Sequence, residues 1–187
     1  MSYDLILASA SPRRRQLLEA AGYCVKIVPA DLQEMRLAGE SPAAMVQRLA
    51  AAKAAAVAPL YPAQIVIAAD TIVVAGEQVL GKPADLAAAE SMLLQLSGRS
   101  HTVFTGVAIY RQQPPWHQVW YSMACVTFRQ LSLAQIQAYF AKVNPLDKAG
   151  AYAIQEYGEE LVMRLDGDRS TVIGLPMPEL LQALRQG

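Results

Sequence analysis

The apolar run "IVIAA" at 65–69 gives way abruptly to a carboxylate at Asp70. A short, unbroken apolar segment with such an end reads as a strand buried on both faces, which needs helices to cover it. Strand-like runs at 4–8 and 24–29, alternating with helical patterns at 12–21 and 42–57, supply that arrangement, so the chain has an α/β rhythm. Ligands bind beyond the carboxyl ends of strands in such sheets, which makes Asp70, placed at the end of its strand, a candidate for chemistry. An aspartate closing a turn before the hairpin-like "TIVVAGEQVL" explains it equally well.

Further along, Leu86, Ala89, Leu93 and Leu96 have helical spacing, predicting a helix over 85–96 that Ser97 and Gly98 end. The β-rich segments "HTVFTGVAIYR" and "QVWYSMACVTFR" flank the turn-like "QQPPWH" and predict a long hairpin. Ser132 caps a helix to about Lys142. The segment "ELVMRLDGDRSTVIG" predicts a second hairpin turning at Asp166 and Gly167, followed by a short helix from Pro178. There is no internal repeat or linker.

A chain of 187 residues fits one domain, with room for two lobes. Sixteen basic and sixteen acidic side chains cancel, which argues against a stable nucleic-acid complex or a charged membrane surface held by bulk electrostatics. Any anion site must be a local cluster. The uncharged stretch 54–69 is too short for a membrane span and is broken by Pro59 and Pro62. The start "MSYDLILAS" carries Asp4 and no basic region, unlike a signal peptide. Cys24 and Cys125 match no metal or redox spacing and are expected to be buried thiols in a reducing cytoplasm. His101 and His117 stand alone, so a zinc site is not expected.

Local cationic features remain. In "LASASPRRRQLLEAAG", Ser11 suits an N-cap, Pro12 the first helical position, and Gly22 the stop, while Leu17, Leu18 and Ala21 form the apolar stripe. Arg13, Arg14 and Arg15 therefore sit where the helix end is already positive, each disfavoured by roughly 0.3 to 1 kcal/mol. An anion bound there reverses the sign. Lys53 falls on the same helix stripe as Met45, Val46, Leu49, Ala50 and Val57, so it must snorkel or meet an anion. If a ligand alone satisfies it, Lys53 should be removable without loss of stability. "GEQVLGKP" resembles a P-loop, but Pro83 stands where the magnesium-binding hydroxyl belongs, leaving only Lys82 in a Gly-Lys-Pro turn. Each residue taken singly has an ordinary structural explanation. Together, Arg13, Arg14, Lys53 and Lys82 with Asp70 and Glu34 have the makeup of a metal-assisted phosphate site.

The ordered motifs "LASASPRRRQLL", "AADTIVV" with "LGKP", "LSGRSHTVFTGVAIY", "LDKAGAYAIQ" and "VIGLPM" resemble the Maf family over nearly the whole chain. That resemblance implies a single Maf-like domain over 1–187. It also implies a two-lobed α/β fold, a mixed sheet flanked by helices with a central cleft, similar to inosine triphosphate pyrophosphatases. The implied activity is that of a cytoplasmic nucleoside triphosphate pyrophosphatase using Mg²⁺ or Mn²⁺, in a family once labelled septum-formation inhibitors. By the same resemblance, Arg13, Arg14, Lys53 and Lys82 match phosphate-binding positions, Ser9 a small polar residue of the phosphate turn, and Asp70 the catalytic acid. Glu34 matches an acidic metal position shared with Asp70, and Gln155 a glutamine near the nucleobase.

"ADT", "DKAGAY" and the following glutamine resemble the dTTP/UTP branch of that family. Two departures stand out: Ala52 replaces a usual glutamate before Lys53, and Glu156 replaces a usual glycine after Gln155. A Maf-type enzyme for CTP or modified nucleotides, and a non-enzymatic division regulator binding nucleotides or nucleic acid, remain open at this stage. So does a homodimer.

Overall fold

The computed structural model describes residues 3–32 and 34–186. In chain order it contains β1 (Leu5–Leu7), α1 (Pro12–Ala20), β2 (Val25–Ile27), α2 (Pro42–Val57), β3 (Ile65–Ala75), β4 (Gln78–Leu80) and α3 (Leu86–Leu96). There follow β5 (Ser100–Arg111), β6 (Trp116–Phe128), α4 (Leu133–Phe140), α5 (Gly158–Leu161), β7 (Val162–Asp166), α6 (Arg169–Ile173) and α7 (Met177–Leu184). The seven strands form one mixed sheet in the order β2-β1-β3-β5-β6-β7, with β4 pairing on β3. β1 is parallel to both β2 and β3, whereas β4 runs antiparallel to β3 and β7 antiparallel to β6.

The chain forms two compact units. The first takes the chain up to Asp70, Thr105–Ser122 and the stretch from Gly174 onward; the second takes Thr71–Phe104 and Met123–Ile173. In the first unit, the two-residue period of β3 sorts its side chains between two cores. Ile67 and Ala69 pack with Leu5, Leu7, Val107 and Ile109 beneath Leu18 of α1 and Leu180 of α7. Val66 and Ala68 pack with Ile6, Ala8 and Ala108 against Ala50, Ala54 and Val57 of α2. β5 approaches the α2 main chain so closely that a Cβ at Gly106 would overlap the Val46 carbonyl. The second unit has one core, with Val73 and Leu80 of the β3/β4 hairpin, Leu93 and Leu96 of α3, and Ile136 and Tyr139 of α4 around Phe128 and Tyr152.

Capping fixes the helix starts. Ser11, Ser41 and Asp85 accept from the backbone N–H groups of Arg14, Ala44 and Ala88, and Ser132 with Gln135 forms a reciprocal capping box on α4. Gly22 follows α1 at φ +91°, a conformation suited to glycine.

Three expectations are corrected. β3 does not stop at Ala69 but runs to Ala75, placing Asp70 within the strand. β4 provides the reason, pairing Leu80, Val79 and Gln78 with Val73, Val74 and Ala75. No second hairpin forms at Asp166 and Gly167: Asp168 Oδ1 accepts from the N–H groups of Ser170 and Thr171 at 2.8 and 3.3 Å, turning "RSTVI" into α6. The cysteines are not buried thiols as expected, since Cys24 is exposed and Cys125 only partly covered; neither is in a disulfide.

His101 is buried at 3% exposure, with Nε2 2.8 Å from the Tyr152 hydroxyl and its ring edge-on to Phe128. Nδ1 has no partner among the described residues. Burial holds the imidazole at about 4, below its usual 6.5. The folded value is depressed, so this histidine's contribution is complete above the unfolded pKa and is lost as pH falls through about 4. Denaturant unfolding from pH 7 to 4 should show about 3 kcal/mol of acid destabilisation that His101→Gln lacks; parallel profiles would rule it out. Gly106→Ala should cost at least about 1 kcal/mol in the same assay, because the helix backbone must move.

Candidate active site

Strand and helix periodicity bring the central pair together. Asp70 lies an even number of residues from Val66 and Ala68, so its side chain shares their face, the one covered by α2. On α2, Lys53 belongs to the buried stripe that also contains Val46, Leu49, Ala50 and Val57. The two charged groups meet where an apolar contact would otherwise form. Lys53 is 7% exposed and Asp70 5%, with Nζ 2.6 Å from Oδ1. Glu34 Oε1 lies 2.5 Å from the same Nζ while nearly half of its side chain remains in solvent. Lys53 therefore does not depend on a ligand for a partner, which corrects the premise that a ligand alone satisfies it.

At the start of α1, buried Ser9 accepts from the Ser11 N–H at 3.2 Å and from Arg14 Nη1 at 3.0 Å. Arg14 Nε donates to Gly174 O at 2.7 Å, so the guanidinium is anchored at two points. Burial lowers its pKa; Asp70 and Glu34 oppose that shift, and neighbouring Arg13 adds to it. Arg13, Arg14 and Lys53 outnumber Asp70 and Glu34, and the helix end adds positive charge. The first unit thus holds Ser9, Arg13, Arg14, Glu34, Lys53 and Asp70, a group able to bind a polyanion beside a buried carboxylate.

Lys82 and Gln155 belong to the second unit. Lys82 is exposed beside buried Pro83, and its turn is tied to the segment before Gln155 by the Gly150 N–H donating to Gly81 O at 3.0 Å. Gly150 has φ +69° and sits against Val73. Gln155 is half-buried, with Nε2 3.5 Å from Glu156 Oε1. Glu156 Oε2 lies 3.3 Å from Nζ of buried Lys148.

A family model described as Maf-like protein matches residues 4–187. The chain belongs to the Maf-like family. This Maf-like chain is 48% identical over 180 residues to a protein of Moorella thermoacetica named dTTP/UTP pyrophosphatase, covering 96% of this chain and 93% of that one. It is 45% identical over 182 residues to a protein of that name from Geobacter sp. (strain M21), covering 97% and 94%. Among solved structures it resembles the Staphylococcus aureus Ham1 protein, with a TM-score of 0.55, 16% identity and 98% of both chains covered. At that identity the likeness speaks for the fold alone, a mixed sheet flanked by helices.

Sequence reasoning missed three groups that hold candidate residues in place: the carbonyl of Gly174 in the first unit, and the guanidinium of Arg169 and the ammonium of Lys148 in the second. Gly174 and Lys148 lie within the motifs "VIGLPM" and "LDKAGAYAIQ", but neither a carbonyl acceptor nor a buried ion pair has a pattern of its own. Arg169 donates to Ile154 O at 2.9 Å, a contact 15 residues distant in sequence.

Breaking a buried pair leaves an uncompensated charge, typically costing about 3 to 5 kcal/mol. Lys53→Ala should therefore lower the unfolding free energy markedly, and adding Asp70→Asn should recover a substantial part. Strict additivity of the two substitutions in a denaturant titration would show that the ammonium and carboxylate are not coupled.

Proposed function

We propose that this protein hydrolyses dTTP and UTP to the nucleoside monophosphate and pyrophosphate, with Asp70 as the catalytic acidic residue. The observation that carries this reading is a carboxylate buried within a strand and held by an ammonium, beside arginines gathered at a helix N-terminus. The family membership and the names of the relatives at 45–48% identity support the same reading.

The chemistry follows from charge. Water attacks the α-phosphorus, the bond from that phosphorus to the α,β-bridging oxygen breaks, and pyrophosphate leaves with the electron pair. Asp70 accepts the proton of the attacking water. Arg13 and Arg14, with the positive end of α1, bind the phosphate oxygens and stabilise the charge that grows on the leaving group. Ser9 and Gly174 O hold Arg14 in place for that task, saving reorganisation during the reaction. Lys53 orients Asp70, Lys82 adds a second ammonium for the phosphates, and Gln155 meets the base.

Glu34 and Asp70 converge on a single cationic nitrogen at 2.5 and 2.6 Å, an arrangement of hard oxygen donors that fits Mg²⁺ or Mn²⁺. The described residues contain no group of three or more acidic, histidine or cysteine ligands, so these two carboxylates are what the protein would offer such an ion. Glu34 and Asp70 would hold the cation, which would supply neutralisation of the polyphosphate charge. No helix among the described residues is long and apolar enough to cross a membrane.

Pyrophosphate release from dTTP, UTP, CTP and a purine triphosphate, measured with Mg²⁺, Mn²⁺ or EDTA, tests the reading. Metal-dependent turnover favouring dTTP and UTP is expected, with Asp70→Asn reducing kcat at least about a hundredfold while remaining folded. Near-parental turnover by that variant would remove Asp70 from the chemistry. Parental preference for another base would overturn the substrate assignment.

A further inference from the structure

The segment around Gln155 is clamped by its neighbours. Tyr152 pairs with His101, the Ala153 N–H donates to the Tyr139 hydroxyl at 3.0 Å, and Ile154 O accepts from Arg169. On either side, Ala151 and Tyr157 hold left-handed backbone conformations at φ 64° and 55°, unusual for residues with a Cβ. Within this rigid setting the two ends of the Gln155 amide differ. Nε2 faces Glu156 Oε1, while Oε1 is buried and has no hydrogen-bond partner among the described residues.

The cause lies one residue further on. Lys148 Nζ, buried and fixed by Asn144 O and Asp147 Oδ1 at 2.8 Å each, also pairs with Glu156 Oε2. An ionised carboxylate accepts hydrogen bonds and donates none. The amide edge turned toward it must therefore be the NH₂, because the flipped amide would set oxygen against oxygen. The ion pair removes the ambiguity that an isolated glutamine would have and turns a carbonyl acceptor away from Glu156.

We propose that Glu156, braced by Lys148, is a positioning residue that fixes Gln155 as an acceptor and thereby selects bases carrying an imide N–H, uracil and thymine, over cytosine. The proposal rests on the reading above that Gln155 meets the base. Against that acceptor, N3–H of uracil or thymine donates. N3 of cytosine is a bare acceptor, so the same approach sets two lone pairs together and leaves Gln155 Oε1 unsatisfied. Neutralising residue 156 frees the amide to turn, after which either ring edge finds a match.

The test is a double-mutant cycle read as the ratio of kcat/KM for UTP to that for CTP, in the parent, Glu156→Gln, Gln155→Ala and the double variant. Thermal melts check that each is folded. Glu156→Gln should lower the ratio by about fivefold or more, the scale set by one buried acceptor losing its partner. In the Gln155→Ala background the same substitution should change the ratio by less than about twofold, since Glu156 acts through Gln155. Glu156→Ala, with no second amide introduced, carries the same expectation if the glutamine variant is poorly folded. A parent that prefers UTP, with a ratio unmoved by either substitution at 156, overturns this proposal and leaves the pyrophosphatase reading intact. Equal drops in both backgrounds also overturn it, because Glu156 would then touch the base directly. A parent that prefers CTP overturns this proposal together with the dTTP and UTP assignment, while hydrolysis to monophosphate and pyrophosphate stands.

Discussion

The candidate site is organised by a buried ion pair, Lys53 with Asp70, set between the sheet and α2. Taking both charges out of water costs several kcal/mol per ion, and their attraction offsets this only when the geometry is good. Apolar replacements at such positions are often neutral or stabilising, so the pair is weak evidence for stability and stronger evidence for chemistry. Its neighbourhood is built to hold it. Gly106 lets β5 approach the main chain of α2, and the Ala50, Ala54 and Val57 stripe seats that helix on Val66 and Ala68.

The two units hold different kinds of interaction. In the first, the residues are mostly charged, and the arginines of α1 are disposed for a polyanion whose charge the helix end also favours. In the second, the notable groups are hydrogen-bonding ones: a buried carbonyl oxygen on Gln155, a carboxylate beside it, and a buried ammonium holding that carboxylate. Charge supplies strength without much selectivity, whereas a single oriented donor or acceptor discriminates between bases at small cost in binding. β3 serves both units, giving Asp70 to one and Val73 to the core of the other.

Several residues of the candidate site stood out from one-dimensional signals. Lys53 stood out because a lysine breaks an apolar stripe of period 3.6, and Asp70 because a carboxylate ends an apolar run. The arginines of α1 were conspicuous because they follow a serine cap and a proline, where cations are locally unfavourable. The misreadings came where a local propensity met a competing partner. The β-branched "STVI" became helical because Asp168 capped it, and the strand through Asp70 continued because β4 paired with its second half.

The sequence by itself determined the α/β alternation, the helix starts and the residue types able to handle a polyphosphate, because periodicity and capping act over a few neighbouring residues. Only the tertiary structure decided which charges meet. Strand parity and helix phase together set Asp70 opposite Lys53, 17 residues apart, and a fold-back of the chain set Glu34 against the same nitrogen. The polarity of Gln155 was likewise settled by Glu156 and Lys148, since an amide's two ends are nearly alike in shape and only a neighbouring charge tells them apart.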